Sequence, residues 1–324
     1  MDVMQKAPFK AEPRRTWPDT VTPDLAYLRT GRIVNLYLYG RPGAPSGSWV
    51  LIDAGLPGSA ARILRAAEEW IGAGSVPAAI VLTHGHFDHV GALEGLLERW
   101  DVPVYAHRLE LPYLTGRSSY PPPDPTVGGG AMAAMARFYP RGPIDLGARV
   151  RTLPEDGSVP GMPEWRWIPT PGHTPGHVSL FREADRTLIA GDAFVTTKQE
   201  SVTAVLTQRP EMHGPPAYYT PDWESARRSV ERLAALEPLR VATGHGPPLQ
   251  GRQMLADLQE LARNFERLAV PRRGRYVGRP AVSDERGVVS VPPAVSDPLP
   301  RIMLGVGLGI MVGAALRRSA KQSR

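Results

Sequence analysis

Between Asp24 and Gly55 apolar and polar residues alternate in "LAYLRTGRIVNLYLYG" and "SWVLIDAG", with Gly, Pro and Ser at the breaks. A period of two broken by turn residues predicts strands and a hairpin. The period then lengthens. In "SAARILRAAEEWIGA" the residues Ile63, Leu64, Ala67 and Trp70 recur at helical spacing. "AAIVLT" predicts a short buried strand, "GALEGLLERW" a helix and "VPVYAH" another strand. Strand-like runs follow in "ARVRTL", "WRWIPT", "HVSLFRE" and "TLIAGDAF". The helical pattern returns in "DWESARRSVERLAAL" and "QMLADLQELARNFERLA", on either side of a strand and loop in "RVATGHG". Strands and helices thus alternate at both ends of a strand-rich middle.

Some stretches keep neither period. Residues 109–147 carry proline and glycine clusters around one helix expected near Ala131–Phe138, and a loop of that length in a compact domain suits a lid. Residues 197–220 are a second irregular stretch. The division expected is a leader over 1–22, a catalytic domain over 23–270, and a basic Pro/Gly-rich linker with a short strand pair over 271–300. An apolar tail helix with a basic end follows over 301–324. The N-terminal residues have no apolar segment and do not read as a signal peptide, so a cytoplasmic protein is expected.

Composition removes several chemistries. There is no cysteine, so disulfides and thiolate metal sites are excluded and any metal is held by nitrogen and oxygen. The net charge of +6 invites a nucleic-acid reading, but its location answers it. Residues 271–324 carry ten Lys and Arg against three Asp and Glu, whereas residues 1–270 carry 28 against 29. The basicity belongs to the tail, and no nucleic-acid groove is expected on the main domain.

The densest chemistry lies in "IVLTHGHFDHVGAL", where three of the chain's eight histidines and an aspartate fall within six positions. On an extended segment His84 and His86 project to the same side, while Asp88 and His89, adjacent at the turn into a helix, point apart. One loop can therefore offer two ligands to each of two neighbouring metals. A lone histidine in a loop is usually just solvated; four donors behind a buried strand form a different pattern.

This His-x-His-x-Asp-His loop resembles the signature of the metallo-β-lactamase-fold hydrolases. The resemblance implies an α/β (α+β) fold, an αββα sandwich with the metal site along one edge. It also implies three further ligands in order, and the chain supplies His173 in "TPGHTPGHVSL", Asp192 in "LIAGDAF" and His245 in "VATGHG". The acidic residue expected after an early strand is present as Asp53. By the resemblance, His84, His86 and His173 hold one metal, Asp88, His89 and His245 hold the other, and Asp192 bridges them. Asp88 and Asp192 are then the carboxylates of the catalytic centre. Two Zn2+ ions per chain are expected, with iron or manganese also suited to such donors.

Two adjacent metals make hydroxide available at neutral pH and polarise the bond under attack, so no separate nucleophilic side chain is needed. The expected reaction is hydrolysis of an ester-like bond (lactone, ester or thioester) in a small molecule with an apolar portion. Asp192 stands where dedicated β-lactamases of this fold generally carry Cys or Ser. The near-neutral core lacks the basic surface of the nuclease members. Phosphodiester or β-lactam hydrolysis, and a metal-binding scaffold without activity, are the alternatives.

The remaining candidates carry weaker expectations. Asp53 is read as orienting the ligand loop, and His177 either supports the site or is a structural histidine. His107, His213 and Lys198 are read as ordinary surface or core residues. Tyr113 and Tyr120 with Met132, Met135 and Phe138 either roof the site or line a core face. Residues 302–316 are uncharged, with Gly305, Gly309 and Gly313 on one helical face. That stretch is expected to attach the protein to a membrane face by shallow or short insertion, the alternative being an apolar helix packed on the core or a second subunit.

Overall fold

The computed structural model describes residues 18–296. Two sheets lie face to face. The first runs in spatial order β1 (Asp19–Thr22), β2 (Leu25–Thr30), β3 (Val34–Tyr39), β4 (Val50–Ile52), β5 (Ala79–Val81), β6 (Val104–Ala106) and β7 (Val150–Thr152). Its first four strands pair antiparallel and the last four parallel. The parallel pairs need crossovers, which carry α1 (Ala60–Trp70), then α2 (Phe87–Val90) and α3 (Leu93–Leu97), then α4 (Leu111–Leu114) and α5 (Ala131–Met135).

The second sheet holds β8 (Ser158–Val159), β9 (Met162–Pro169), β10 (Val178–Arg182), β11 (Thr187–Gly191), β12 (Arg240–Thr243) and β13 (Leu249–Gln250), neighbours in that order. Only β11 and β12 are parallel, and their crossover carries α6 (Val202–Thr207) and α7 (Trp223–Ala235). The helices α8 (Arg252–Arg263) and α9 (Phe265–Leu268) follow β13.

The period of two read from the sequence sorts these strands into layers. On β3, Tyr37 turns between the sheets while Leu36 and Leu38 turn outward; on β4, Val50 and Ile52 point in and Leu51 out. The second sheet does the same with Leu180 and Ile189 inside, Phe181 and Leu188 outside. Outside the first sheet Ile63 and Ala67 of α1 and Leu93 and Leu96 of α3 close the layer. Outside the second it is Val230 and Leu233 of α7 and Leu258 and Leu261 of α8. Burying each such Leu or Ile contributes about 1.5–3 kcal/mol. The result is the αββα sandwich that the resemblance implies.

Two departures matter for the site. β1 pairs with β2 and so draws Asp19–Thr22 into the first sheet, although the sequence places them in a leader. The stretch after Val270, expected as a linker, folds back over the 109–147 segment. Tyr276 donates to the Pro122 carbonyl, and the Arg273 Nε donates to the Thr126 carbonyl at 3.2 Å. The expected strand pair is present as β14 (Val282–Asp284) and β15 (Gly287–Ser290). It meets Ser118, whose Oγ accepts from the Val288 N–H, and Tyr113, whose hydroxyl donates to Ser283. The apolar stretch 302–316 lies outside the described residues. Among the described residues no helix is long and apolar enough to cross a membrane.

Candidate metal centre

Strand ends on one rim of the sandwich bring the polar residues together. His84 follows β5 after Thr83, and His86 caps the N-terminus of α2 with extended backbone. The short helix carries Asp88 in its first turn and His89 in its last. His173 lies in the loop after β9, Asp192 directly after β11 and His245 just beyond β12.

All seven residues converge. Donor atoms of His84, His86 and His173 lie within 4.8 Å of one another, as do those of Asp88, His89 and His245. Asp192 stands between the two groups. Its Oδ2 is 3.4 Å from His173 Nε2, 3.1 Å from His245 Nε2 and 3.7 Å from His89 Nε2. Six of the seven are buried; the side chain of Asp88 is 14% exposed and marks the open side.

Electrostatics sets the protonation of these groups. Burial, with crowding by neighbouring imidazoles, holds His84 and His86 far below the ordinary histidine range. Burial holds His173 at about 3 despite Asp192. Burial opposes charging of His89 and His245 as well, but Asp192, helped by Asp53 and Asp88 respectively, raises both. Burial would raise Asp192 too, yet His245 and His89 keep it well below the carboxylate range.

The donor set fits divalent cations. Such ions need neutral imidazoles and ionised carboxylates. Burial favours the neutral form in His84, His86 and His173, and the neighbouring histidines keep Asp192 ionised. An ion at His89 and His245 would displace their protons. Moreover, His84 Nε2, His89 Nε2 and Asp192 Oδ1 are buried without a hydrogen-bond partner. An orphaned polar atom is costly, and cations held by the two groups, with Asp192 between them, would relieve all three.

Supporting residues hold the ligands from behind. Asp53, in a left-handed conformation with φ of 62°, accepts from the Thr83 N–H at 2.8 Å and the Thr83 hydroxyl at 2.8 Å, and sits 2.8 Å from His89 Nδ1. It therefore orients the ligand loop. His177 Nε2 accepts from the Asp192 N–H at 2.9 Å, and its other nitrogen meets Thr170 Oγ1 at 2.8 Å, so it braces the backbone of Asp192. His245 Nδ1 faces the Ile33 carbonyl at 2.9 Å.

Sequence reasoning passed over several of these. Asn35 donates to the carbonyls of Thr243 and Gly246 and so ties β3 to the His245 loop. Glu110 is fully buried and accepts from Gly85, Thr174, Gly176 and Tyr120. A lone Glu in "HRLELPY" gives no periodic or motif signal, and its burial is set by tertiary packing.

The aromatic residues separate by role. His86 lies between Tyr219, stacked at 4.4 Å, and Tyr120, edge-on at 4.6 Å, and Tyr120 in turn stacks on Tyr113. Met132 packs with Tyr218, Tyr219, Phe87 and Tyr139 in a cluster over the site. Met135 and Phe138 line neither the site nor a core face: they are 44% and 79% exposed. His107 packs on Trp167 away from the cluster, and His213 lies 3.8 Å from the buried Glu200. Lys198 is half-buried.

The pocket that touches His86 and His173 is closed by Tyr120, Tyr219 and Tyr276 and holds about 10 Å³, the space of one water. A larger cleft of about 1030 Å³ is lined by none of the seven candidate residues but includes Gly85 and Phe87, the chain neighbours of His86 and Asp88. Val90, Leu93, Leu97, Ile144 and Leu146 give it an apolar floor, with Glu94, Glu98, Arg141 and Arg149 among its other walls.

Layers, ligand order and site position define a class, and the metallo-beta-lactamase superfamily profile matches residues 29–245. The chain belongs to that superfamily. It is 53% identical over 233 residues to the probable metallo-hydrolase YflN of Bacillus subtilis, covering 72% of this chain and 88% of that protein. A second B. subtilis protein, the probable metallo-hydrolase YybB, is 31% identical over 196 residues, 60% of this chain and 74% of its own length. Among solved structures, a beta-lactamase domain protein from Burkholderia ambifaria superposes with a TM-score of 0.51 at 21% identity, over 78% of this chain and 79% of that one, a likeness of fold.

Proposed function

We propose that the protein is a binuclear metallo-hydrolase, resident with zinc, that cleaves an ester-like carbonyl bond in a small molecule with an apolar portion. The observation that carries the reading is the placement of Asp192 between two complete three-residue ligand groups, all but one of them buried. Two divalent cations, when bound, supply hydroxide at neutral pH and polarise the carbonyl under attack. The chain's own residues do the rest. Asp53 and His177 hold His89 and Asp192 in position. Tyr120 and Tyr219 close off the His86 side, leaving approach from the side of Asp88.

The walls of the neighbouring cleft support this bond class. The apolar floor of the cleft beside Phe87 suits an acyl or lactone ring substituent, and its mixed charged residues offer no continuous anion track for a polynucleotide. The names of the two B. subtilis relatives, both probable metallo-hydrolases, support the reaction type.

The test is an assay of purified, metal-analysed protein against lactones, esters, thioesters, β-lactams and phosphodiesters, with Asp192→Ala as control. About two zinc ions per chain are expected. So is turnover of at least one carbonyl ester class that falls about a hundredfold or more in the control. Faster cleavage of phosphodiesters or β-lactams than of every ester-like substrate would overturn the proposal.

A further inference from the structure

Glu110 ends a single turn, Arg108–Glu110, that leads into α4, and its side chain is fully buried. An isolated carboxylate so placed is costly unless its lone pairs are satisfied. Here four neutral donors satisfy them. Oε2 accepts from the Gly85 N–H at 2.9 Å and from the Tyr120 hydroxyl; Oε1 accepts from the Thr174 hydroxyl at 2.8 Å and the Gly176 N–H at 2.8 Å.

The identity of those donors is informative. Gly85 stands between His84 and His86, while Thr174 and Gly176 follow His173. One carboxylate therefore pins the backbone of two loops that meet only in space, and between them His86 Nδ1 and His173 Nε2 lie 2.9 Å apart. The approach is so close that a side chain at either glycine would force Glu110 or Tyr120 to shift. A Cβ on Gly176 would fall 2.8 Å from Glu110 Cγ, and one on Gly85 would fall 2.5 Å from the Tyr120 hydroxyl oxygen. Tyr120 also packs edge-on against His86, so the same hydroxyl bond fixes one wall of that imidazole.

No bond from Glu110 reaches the other ligand group. In that group His89 is supported instead by Asp53, and His245 by the Ile33 carbonyl. We infer that Glu110 is a positioning residue for one half of the metal centre: by clamping the Gly85 and Thr174–Gly176 backbones it fixes the separation of His86 and His173, and so governs the ion held by His84, His86 and His173 while leaving its neighbour largely untouched. This rests on the cluster being a two-metal site and is independent of which bond is cut.

The experiment is a cobalt titration of the metal-stripped full chain, followed by visible absorption and by competition with a chelating indicator. Wild type is compared with Glu110→Gln, which keeps the size, and with Thr174→Val, which removes one donor and leaves the carboxylate in place. Wild type is expected to bind two ions. Glu110→Gln should weaken one of them by about tenfold to a hundredfold, with an altered cobalt spectrum and little change in the other. Thr174→Val should weaken the same ion by a smaller factor.

Two unweakened ions with the wild-type spectrum in both variants would overturn the role. Parallel loss of both ions with a matching fall in melting temperature would reduce it to general stability and overturn it as well. Should Glu110→Gln not fold, an unchanged Thr174→Val titration would be enough to overturn it. A wild-type protein that takes up no cobalt would remove the metal centre itself, and with it this role.

Discussion

At the scale of single residues the site depends on carboxylates that differ in task. Asp192 faces both ligand groups, whereas Asp53 faces none of the open space and works through hydrogen bonds. Its left-handed backbone is unusual for a side-chain-bearing residue and is held by the three contacts its carboxylate makes. Alanine at this position would leave the buried Thr83 N–H unpaired and His89 free to turn. Asp53→Ala is expected to cost about 1–3 kcal/mol of stability. It should also weaken the ion held by Asp88, His89 and His245 by about tenfold to a hundredfold. Denaturant unfolding of the metal-free protein and metal titration measure the two effects separately. Wild-type affinity for both ions in this variant would show that His89 needs no help to hold its ring.

At the scale of elements the legible parts were those with strong period or strong chemistry. The strands β3, β4, β10 and β11 and the helices α1, α7 and α8 were visible because alternate or helical spacing of apolar residues is what buries them. The seven candidate ligands, which the fold brings together, were visible because their types and order carry the chemistry. β1 was not, since "DTVT" is a short edge strand whose pairing with β2 supplies what its composition lacks. Glu110 and Asn35 were not, because each acts on backbone groups distant in sequence.

The β14–β15 pair was visible as strands but not as a clamp. Val282 and Val289 are 50% and 56% exposed, so it buries little and its contribution is local. A chain ending at Pro280 should melt only about 2–4 °C below one ending at Ser296, the shift of roughly 1 kcal/mol. It should nevertheless be cut faster by trypsin after Arg117, beside the freed Ser118. Equal cleavage of the two chains would show that the pair does not restrain this segment.

At the scale of the whole molecule, the buried histidines make the metal-free protein acid-labile. In His84, His86, His173 and His177 the folded state holds the imidazole well below its ordinary range, the last at about 3 through burial. Below about pH 6.5 the unfolded chain binds protons that the folded chain refuses, so stability falls as pH drops from there toward 3. His89 and His245 are raised, so near pH 6.5 they are charged in the fold while the unfolded chain is only half protonated; there they oppose the decline, and they add little slope below about pH 5.5. Urea unfolding of metal-free protein between about pH 6 and 5 is expected to show this decline. His177→Gln, which still offers an acceptor to the Asp192 N–H, should lessen the slope by up to about one proton. An unchanged slope would mean that His177 is charged inside the fold.

The backward fold of residues 271–291 has one more consequence, and it concerns time. Every metal-binding candidate, from His84 to His245, precedes this strap in the chain, yet the strap fastens the 108–127 segment from which Glu110 and Tyr120 reach the centre. A ribosome delivers the chain from its N-terminus. The whole ligand set is therefore made before the piece that shuts the wall beside it, and during synthesis the door is hung last.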